Sequence, residues 1–288
     1  MHLQANAYID RVAEQVVNEY ESERERWLTN RNTVRAAILS SLINGDDIDV
    51  TAGESALGYR LRQNHLGVVV WDRKGDDSPN ALQKLQALVA AVGEVVGGSG
   101  QPLFIPRDRS HAWGWIPLGW DASHIDSDVL RKVHDAAGDA LHVAMGSPGK
   151  AIDGFRDSHV ESLRAYTVAA VADDEARRVT SYAEPGVQAA ALLAADLRAT
   201  RTLVATALGG LAEDNDTVAR LRETLLDFLN EDGRYQNTAE RIHVHRNTVR
   251  YRVAKALEIR GRPLDDDRFN LQLALVACRW LGRTVLPN

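Results

Sequence analysis

Two periodicities of apolar residues alternate along the middle of this chain, and one of them governs its ends. Leu66 to Trp71 (LGVVVW) is an unbroken apolar run of strand length, and Pro79 to Val96 is an apolar-rich stretch of helical length. Pro102–Pro106 and His111–Leu118 read as the two arms of a hairpin, followed by a helix over Ile125–Ala137, a strand at Leu141–Met145 and a helix over Phe155–Val171. Strands mixed with helices in this order predict an α+β fold, a sheet with helices on one or both faces. At the N-terminal end only the helical period is present. Ile9, Val12, Ala13, Val16, Val17 and Tyr20 share one stripe, and Val34, Ala37, Ile38, Leu42 and Ile43 form another before the stop at Asn44-Gly45. Glu21 to Arg26 (ESERER) alternates in sign as a solvated helix face does. Such stripes need a partner, either the same helices of a second copy or the chain's own body. Gly186 to Leu211 is a run of small and apolar residues with helical period, ended by Gly209-Gly210. Read as continuous helix, it forms a rigid junction to the last part of the chain. The expected division is 1–56, 57–212 and 213–288.

Tyr235 to Gly261 (YQNTAERIHVHRNTVRYRVAKALEIRG) has the form of a short helix, a tight turn and a basic amphipathic helix, the pattern of a helix-turn-helix. At 100° per residue from Arg246, the positions Val249, Val253, Ala256 and Leu257 fall on one side, while Asn247, Tyr251, Ala254 and Glu258 point away. Ala239, Ile242 and Val244 supply the apolar contacts of the first helix and the turn. Between Arg241 and Arg262 there are seven Lys/Arg against one acid, Glu258, in a chain whose formal net charge is −6. That asymmetry is the electrostatic footprint of a phosphate-binding element in an otherwise acidic protein. A recognition helix offers its first residues to base edges in the major groove, so Arg246, Asn247 and Arg250 are the expected readers, Arg pairing with guanine and Asn with adenine. Thr248, Tyr251, Arg252 and Lys255 are expected at phosphates, which position without reading sequence.

The wording of this segment goes further than its pattern. RIHVHRNTVRYRV resembles the C-terminal DNA-binding domain of the PucR/CdaR group of bacterial transcriptional regulators. The likeness extends to LRETLLDFLNEDG (Leu221 to Gly233) before it and LDDDRFNLQLALVACRWLG (Leu264 to Gly282) after it, with RGRP (Arg260 to Pro263) more basic than the usual connection. HVAMGSPGKAIDGFRDSHVESLRAYTVA (His142 to Ala169) likewise resembles the degenerate GGDEF-like domain of these regulators. The resemblance implies N-terminal helices, dimeric or end-pieces of a sensory domain, then a GGDEF-like α/β sandwich and an all-α helix-turn-helix domain. It also implies a regulator that binds double-stranded DNA and responds to a small-molecule effector; a homodimer or higher homo-oligomer is expected because one helix-turn-helix gains specificity by pairing half-sites.

True GGDEF domains are diguanylate cyclases, which need metal-holding carboxylates and a Gly-Gly hairpin. Asp72 follows the first strand where such an acid would stand. The hairpin, however, reads Arg107-Asp108-Arg109-Ser110-His111 with no glycine pair, so no catalysis, cofactor or metal is expected. A nucleotide-handling enzyme with a helical appendage, or an adaptor whose basic helix meets an acidic protein, are the alternatives. Gly146-Ser147-Pro148-Gly149-Lys150 imitates a phosphate loop but lacks its spacing and is followed by Ala151. His124, His134, His142 and His159 lack metal-site spacing, and Gly97-Gly98-Ser99-Gly100 is a turn. Trp113 and Trp115 share a strand face, which either lines a pocket for a planar effector or packs into the core. The single cysteine, Cys278, lies in an apolar helix and excludes an internal disulfide. Without a membrane-length apolar run or a signal-peptide core, a cytoplasmic protein is expected.

Overall fold

The computed structural model describes residues 34–75, 80–120, 125–172 and 177–287. Two helices come first, α1 (34–44) and α2 (Val50–Leu57), followed by β1 (Asn64–Asp72), α3 (Ala81–Val95), β2 (Leu103–Pro106), β3 (His111–Gly119), α4 (Ser127–Ala137), β4 (Leu141–Met145), β5 (Gly149–Lys150), α5 (Ala151–Ala172) and β6 (Val179–Ser181). Helices α6 (Val187–Ala194), α7 (Leu197–Leu208), α8 (Asp216–Asn230), α9 (Tyr235–Arg241), α10 (Arg246–Arg260) and α11 (Arg268–Leu281) complete the α+β fold. The helical stripe read over Ile9 to Tyr20 and the charges of Glu21 to Arg26 lie outside the described residues.

Strand β1 is buried from Asn64 to Trp71 because it lies inside the sheet, whose order is β2-β3-β1-β4-β6. All neighbours are antiparallel except β4 and β6, and β5 adds a short pairing to the start of β1. Alternation along β1 divides two cores. Leu66, Val68 and Val70 pack with Leu85, Val89, Ile116, Val143 and Met145 beneath α3 and α4. Val69 and Trp71 face the other way, with Ala144, Ala165 and Val168. On that side α5 comes close at Gly67, where a Cβ would lie 2.7 Å from the Ser158 backbone. The contact is fixed by Gly67 N–H donating to Ser158 Oγ at 2.7 Å.

Leu39 and Leu42 of α1 and Leu57 of α2 pack with Tyr59, Leu61, Leu103, Trp115 and Phe155. The described part of the N-terminal apolar stripe thus folds back on the chain's own sheet. The run from Gly186 to Leu211 is not one helix, which corrects the expectation of a continuous junction. It breaks at Asp196, whose carboxylate accepts from Ala199 N–H at 2.9 Å and starts α7 afresh. An aspartate suits a helix start, where its side chain satisfies an otherwise unpaired N–H. Both pieces pack on α11, and one apolar cluster runs from Val69 and Ala165 through Ala190 and Leu208 to Leu225, Val253 and Leu275. Trp280 Nε1 donates to Pro185 O at 3.1 Å, the Arg177 guanidinium lies 4.3 Å over the Trp280 ring, and Thr284 Oγ1 donates to Val171 O at 2.8 Å.

Candidate nucleic-acid interface

Helix α8 begins where the Asn215 side chain accepts from Val218 N–H at 2.8 Å. It gives way to α9 through Asp232 and Gly233, both at positive φ (54° and 78°). Phe228 stacks on Tyr235 across that turn, with ring centroids 4.6 Å apart. The turn between α9 and α10 is closed by Val244 N–H donating to Ala239 O at 3.0 Å, and His243 there takes a left-handed conformation with φ 54°. His245 then caps α10, its Nδ1 accepting from Asn247 N–H at 3.2 Å, a role that needs an unprotonated Nδ1. Neither histidine was singled out from sequence; a polar residue just before a helical run was the available signal for His245.

The faces of α10 follow its period. Val249, Val253 and Ala256 are buried in the core shared with α8, and Leu257 is half-buried. Arg246, Asn247, Arg250 and Tyr251 are exposed, as are Ala254 and Glu258, whereas Thr248, Arg252 and Lys255 are half-buried. The helix therefore brings all seven expected contact residues onto one element, though not in equal states. Arg252 Nη1 leans back to donate to Thr224 Oγ1 of α8 at 3.3 Å, and Lys255 Nζ donates to Glu258 Oε1 at 2.8 Å. That bond is the main cause of the rise in the Lys255 pKa.

The remaining cations of the basic segment are held by partners from the chain itself. Arg241 pairs with Glu231 at 3.0 Å. Arg260 is buried and donates to the carbonyls of Ala207, Pro263 and Asp266 at 3.0, 2.7 and 2.7 Å, and burial lowers its pKa. Arg262 donates to Thr206 O and Ala207 O. Among the described residues, Arg246 and Arg250 have no ion-pair or hydrogen-bond partner. The basic footprint read from composition is thus narrower in the fold and centred on the first turn and a half of α10.

The other sequence signals lie elsewhere. At the β2–β3 hairpin, Asp108 Oδ1 accepts from the N–H groups of Ser110 and His111 at 2.7 and 2.8 Å and from Ser110 Oγ at 3.0 Å. It also faces His111 Nδ1 at 3.1 Å, and His111 Nε2 faces Tyr166 Oη at 3.0 Å. Asp72 Oδ1 accepts from Lys74 N–H at 2.9 Å. In the Gly146–Lys150 turn, Ser147 N–H donates to Glu161 Oε2 at 2.7 Å, so a carboxylate already takes the donor a phosphate would use. Trp115 is fully buried and stacked on Phe155 at 4.5 Å, whereas Trp113 on the same face is half-buried and lines a cleft. Burial pushes the Cys278 thiol up to about 12. Among the described residues no group of three His, Cys, Asp or Glu could hold a metal ion, and no helix is long and apolar enough to cross a membrane.

Comparison with known families decides what kind of helix-turn-helix this is. Residues 221–277 match the PucR C-terminal helix-turn-helix domain, and residues 43–168 match the GGDEF-like domain. The chain ends in a helix-turn-helix domain of the PucR type and carries a GGDEF-like domain before it. Its PucR-type end is 37% identical over 73 residues to the transcriptional activator PmfR of Paenarthrobacter nicotinovorans, covering 25% of this chain and 16% of that protein. It is 38% identical over 68 residues to the purine catabolism regulatory protein of Bacillus subtilis (strain 168), covering 24% of this chain and 13% of that one. The matched stretches thus span under a fifth of either relative's length. Among solved structures, a regulator of polyketide synthase expression from Bifidobacterium adolescentis is 20% identical, with a TM-score of 0.41 over 88% of this chain and 93% of that chain.

Proposed function

We propose that this PucR-type chain is a sequence-specific, DNA-binding transcriptional regulator that acts in the cytoplasm as a homodimer or higher homo-oligomer, responds to a small-molecule effector and has no catalysis of its own. The observation that carries the proposal is the start of α10, where Arg246, Asn247 and Arg250 are exposed on a helix anchored by buried Val249, Val253 and Ala256. In this reading those three side chains address base edges, and Thr248, Tyr251, Arg252 and Lys255 address phosphates. Arg252 and Lys255 must leave Thr224 and Glu258 to do so; the exposed Lys255–Glu258 pair is worth little, and the Arg252–Thr224 contact is a long one at 3.3 Å. Residues 213–288 are the DNA-binding domain, 57–212 the GGDEF-like scaffold, and 1–56 the segment that precedes it.

Selection of bound sequences from a random DNA pool at near-physiological salt, with Arg250→Ala as control, tests this. An enriched motif lost in the variant is expected. Salt-sensitive binding to all DNA without enrichment would sink the sequence-specific reading. The absence of catalysis is supported by a hairpin with no glycine pair and by the four groups crowded on one oxygen of Asp108. Incubation with GTP and Mg²⁺ checks it, since a cyclic dinucleotide product abolished by Asp72→Ala would overturn it.

A further inference from the structure

Between α1 and the β2–β3 hairpin lies a cleft of about 540 Å³, within the roughly 300–1,000 Å³ typical of small-molecule sites. Its walls are apolar, formed by Leu39, Ile43, Phe104 and Trp113, and its charged lining groups among the described residues are two cations, Arg35 and Arg107. The Arg107 guanidinium lies 4.1 Å from the centroid of the Trp113 ring. Arg35 Nη2 reaches only Leu57 O at 3.4 Å, and its buried Nε has no hydrogen-bond partner among the described residues. Neither arginine has a carboxylate partner there, although the chain as a whole is acidic. Trp113 is itself held in place, edge-on to Trp115 at 6.4 Å and to the buried His159 at 4.5 Å.

Two guanidinium groups beside apolar walls, without a counter-charge among the described residues, create a demand that one kind of ligand meets. An anionic head satisfies the open donors through charge-assisted hydrogen bonds, while an apolar body covers Leu39, Ile43, Phe104 and Trp113. A polyphosphate suits the site poorly, because its further charges would be desolvated against those side chains. We infer that this cleft binds a small amphipathic monoanion, a carboxylate on an aromatic or alkyl body. The inference rests on the effector-responsive reading above and gives that effector a chemical class and a place.

Calorimetric titration of the full chain with 2-naphthoate tests it, with 2-naphthalenemethanol as the neutral counterpart. One saturable site is expected, weakened about tenfold or more by Arg107→Gln or Arg35→Gln and by replacing the acid with the alcohol. Arg131→Gln, on α4 away from the cleft, leaves it unchanged. Absence of saturation at millimolar 2-naphthoate overturns the inference, including the case in which another segment of the chain covers the cleft. Equal affinity for acid and alcohol, or for the parent chain and both arginine variants, overturns it too. Thermal melts show whether each variant is folded, and Arg107→Lys, which keeps the charge, retains more affinity than Arg107→Gln if the anion is what is recognised. The titration contains no DNA, so its failure is distinct from a failure to select an operator.

Discussion

Two turns of this molecule are rich in the same residue types and use them in opposite ways. At the β2–β3 hairpin, the Asp108 carboxylate, the Ser110 hydroxyl, the His111 ring and the Tyr166 hydroxyl satisfy one another, and Arg107 rests on Trp113. At the start of α10, the side chains of Arg246, Asn247 and Arg250 extend into solvent with no partner among the described residues. Polar and basic composition therefore does not mark a recognition surface by itself. What separates the two turns is whether the local fold has already used the polar groups: it has for Asp108, Ser110 and His111, and it has not for Arg246, Asn247 and Arg250.

The largest effect is expected from beneath the hairpin. Trp115→Ala removes a fully buried ring stacked on Phe155 and its hydrogen bond to Phe155 O, and is expected to cost about 3–5 kcal/mol in urea unfolding. DNA affinity of the remaining folded fraction stays unchanged. Next in size is a pH effect. Burial, with Arg107 nearby, holds the His159 imidazole neutral and lowers its pKa from 6.5 to about 4. Between those values the unfolded chain takes up a proton that the folded chain refuses. The contribution is thus complete above pH 6.5 and is lost as pH falls toward 4, by up to about 3 kcal/mol. Urea unfolding at pH 7 and 4.5 should show this slope, reduced in His159→Gln; an equal slope in both would rule out His159 as its source. On the α10 side, Asn247→Ala is expected to cost about 1–3 kcal/mol at the preferred site and relax the choice of base, while Arg252→Ala weakens all DNA about equally. Competition assays with single-base operator variants separate the two, and identical profiles would erase the division between readers and phosphate anchors. Smallest of all, Asp108→Asn at the exposed hairpin should change stability by less than about 1 kcal/mol and leave DNA affinity untouched.

Much of the sheet was legible because its strands are either unbroken apolar runs, as in LGVVVW, or hairpin arms bounded by prolines and a polar turn. Val179–Ser181 escaped notice: three residues with two hydroxyls carry no period, and the strand exists only because β4 offers it a parallel edge. The break at Asp196 was hidden by the small apolar residues around it, although an aspartate inside such a run is itself a helix-start signal. At the interface, the seam of α10 could be read from Val249, Val253 and Ala256. Which cations remain available could not. Charge counting treats Arg260 and Arg246 alike, yet one is buried among carbonyls supplied by distant α7 and the following loop.

The docking of α11 against α5, α6 and α7 has a consequence for spacing on DNA. Trp280, Arg177 and Thr284 join the helix-turn-helix end to α5 and to the loops flanking β6 by packing and hydrogen bonds. A recognition helix on a loose tether tolerates extra base pairs between paired sites, because chain entropy changes only slowly with reach. If the chain pairs on DNA as proposed, one mounted like this would act as a fixed calliper: inserting half a helical turn, about five base pairs, would rotate the second site out of its grasp.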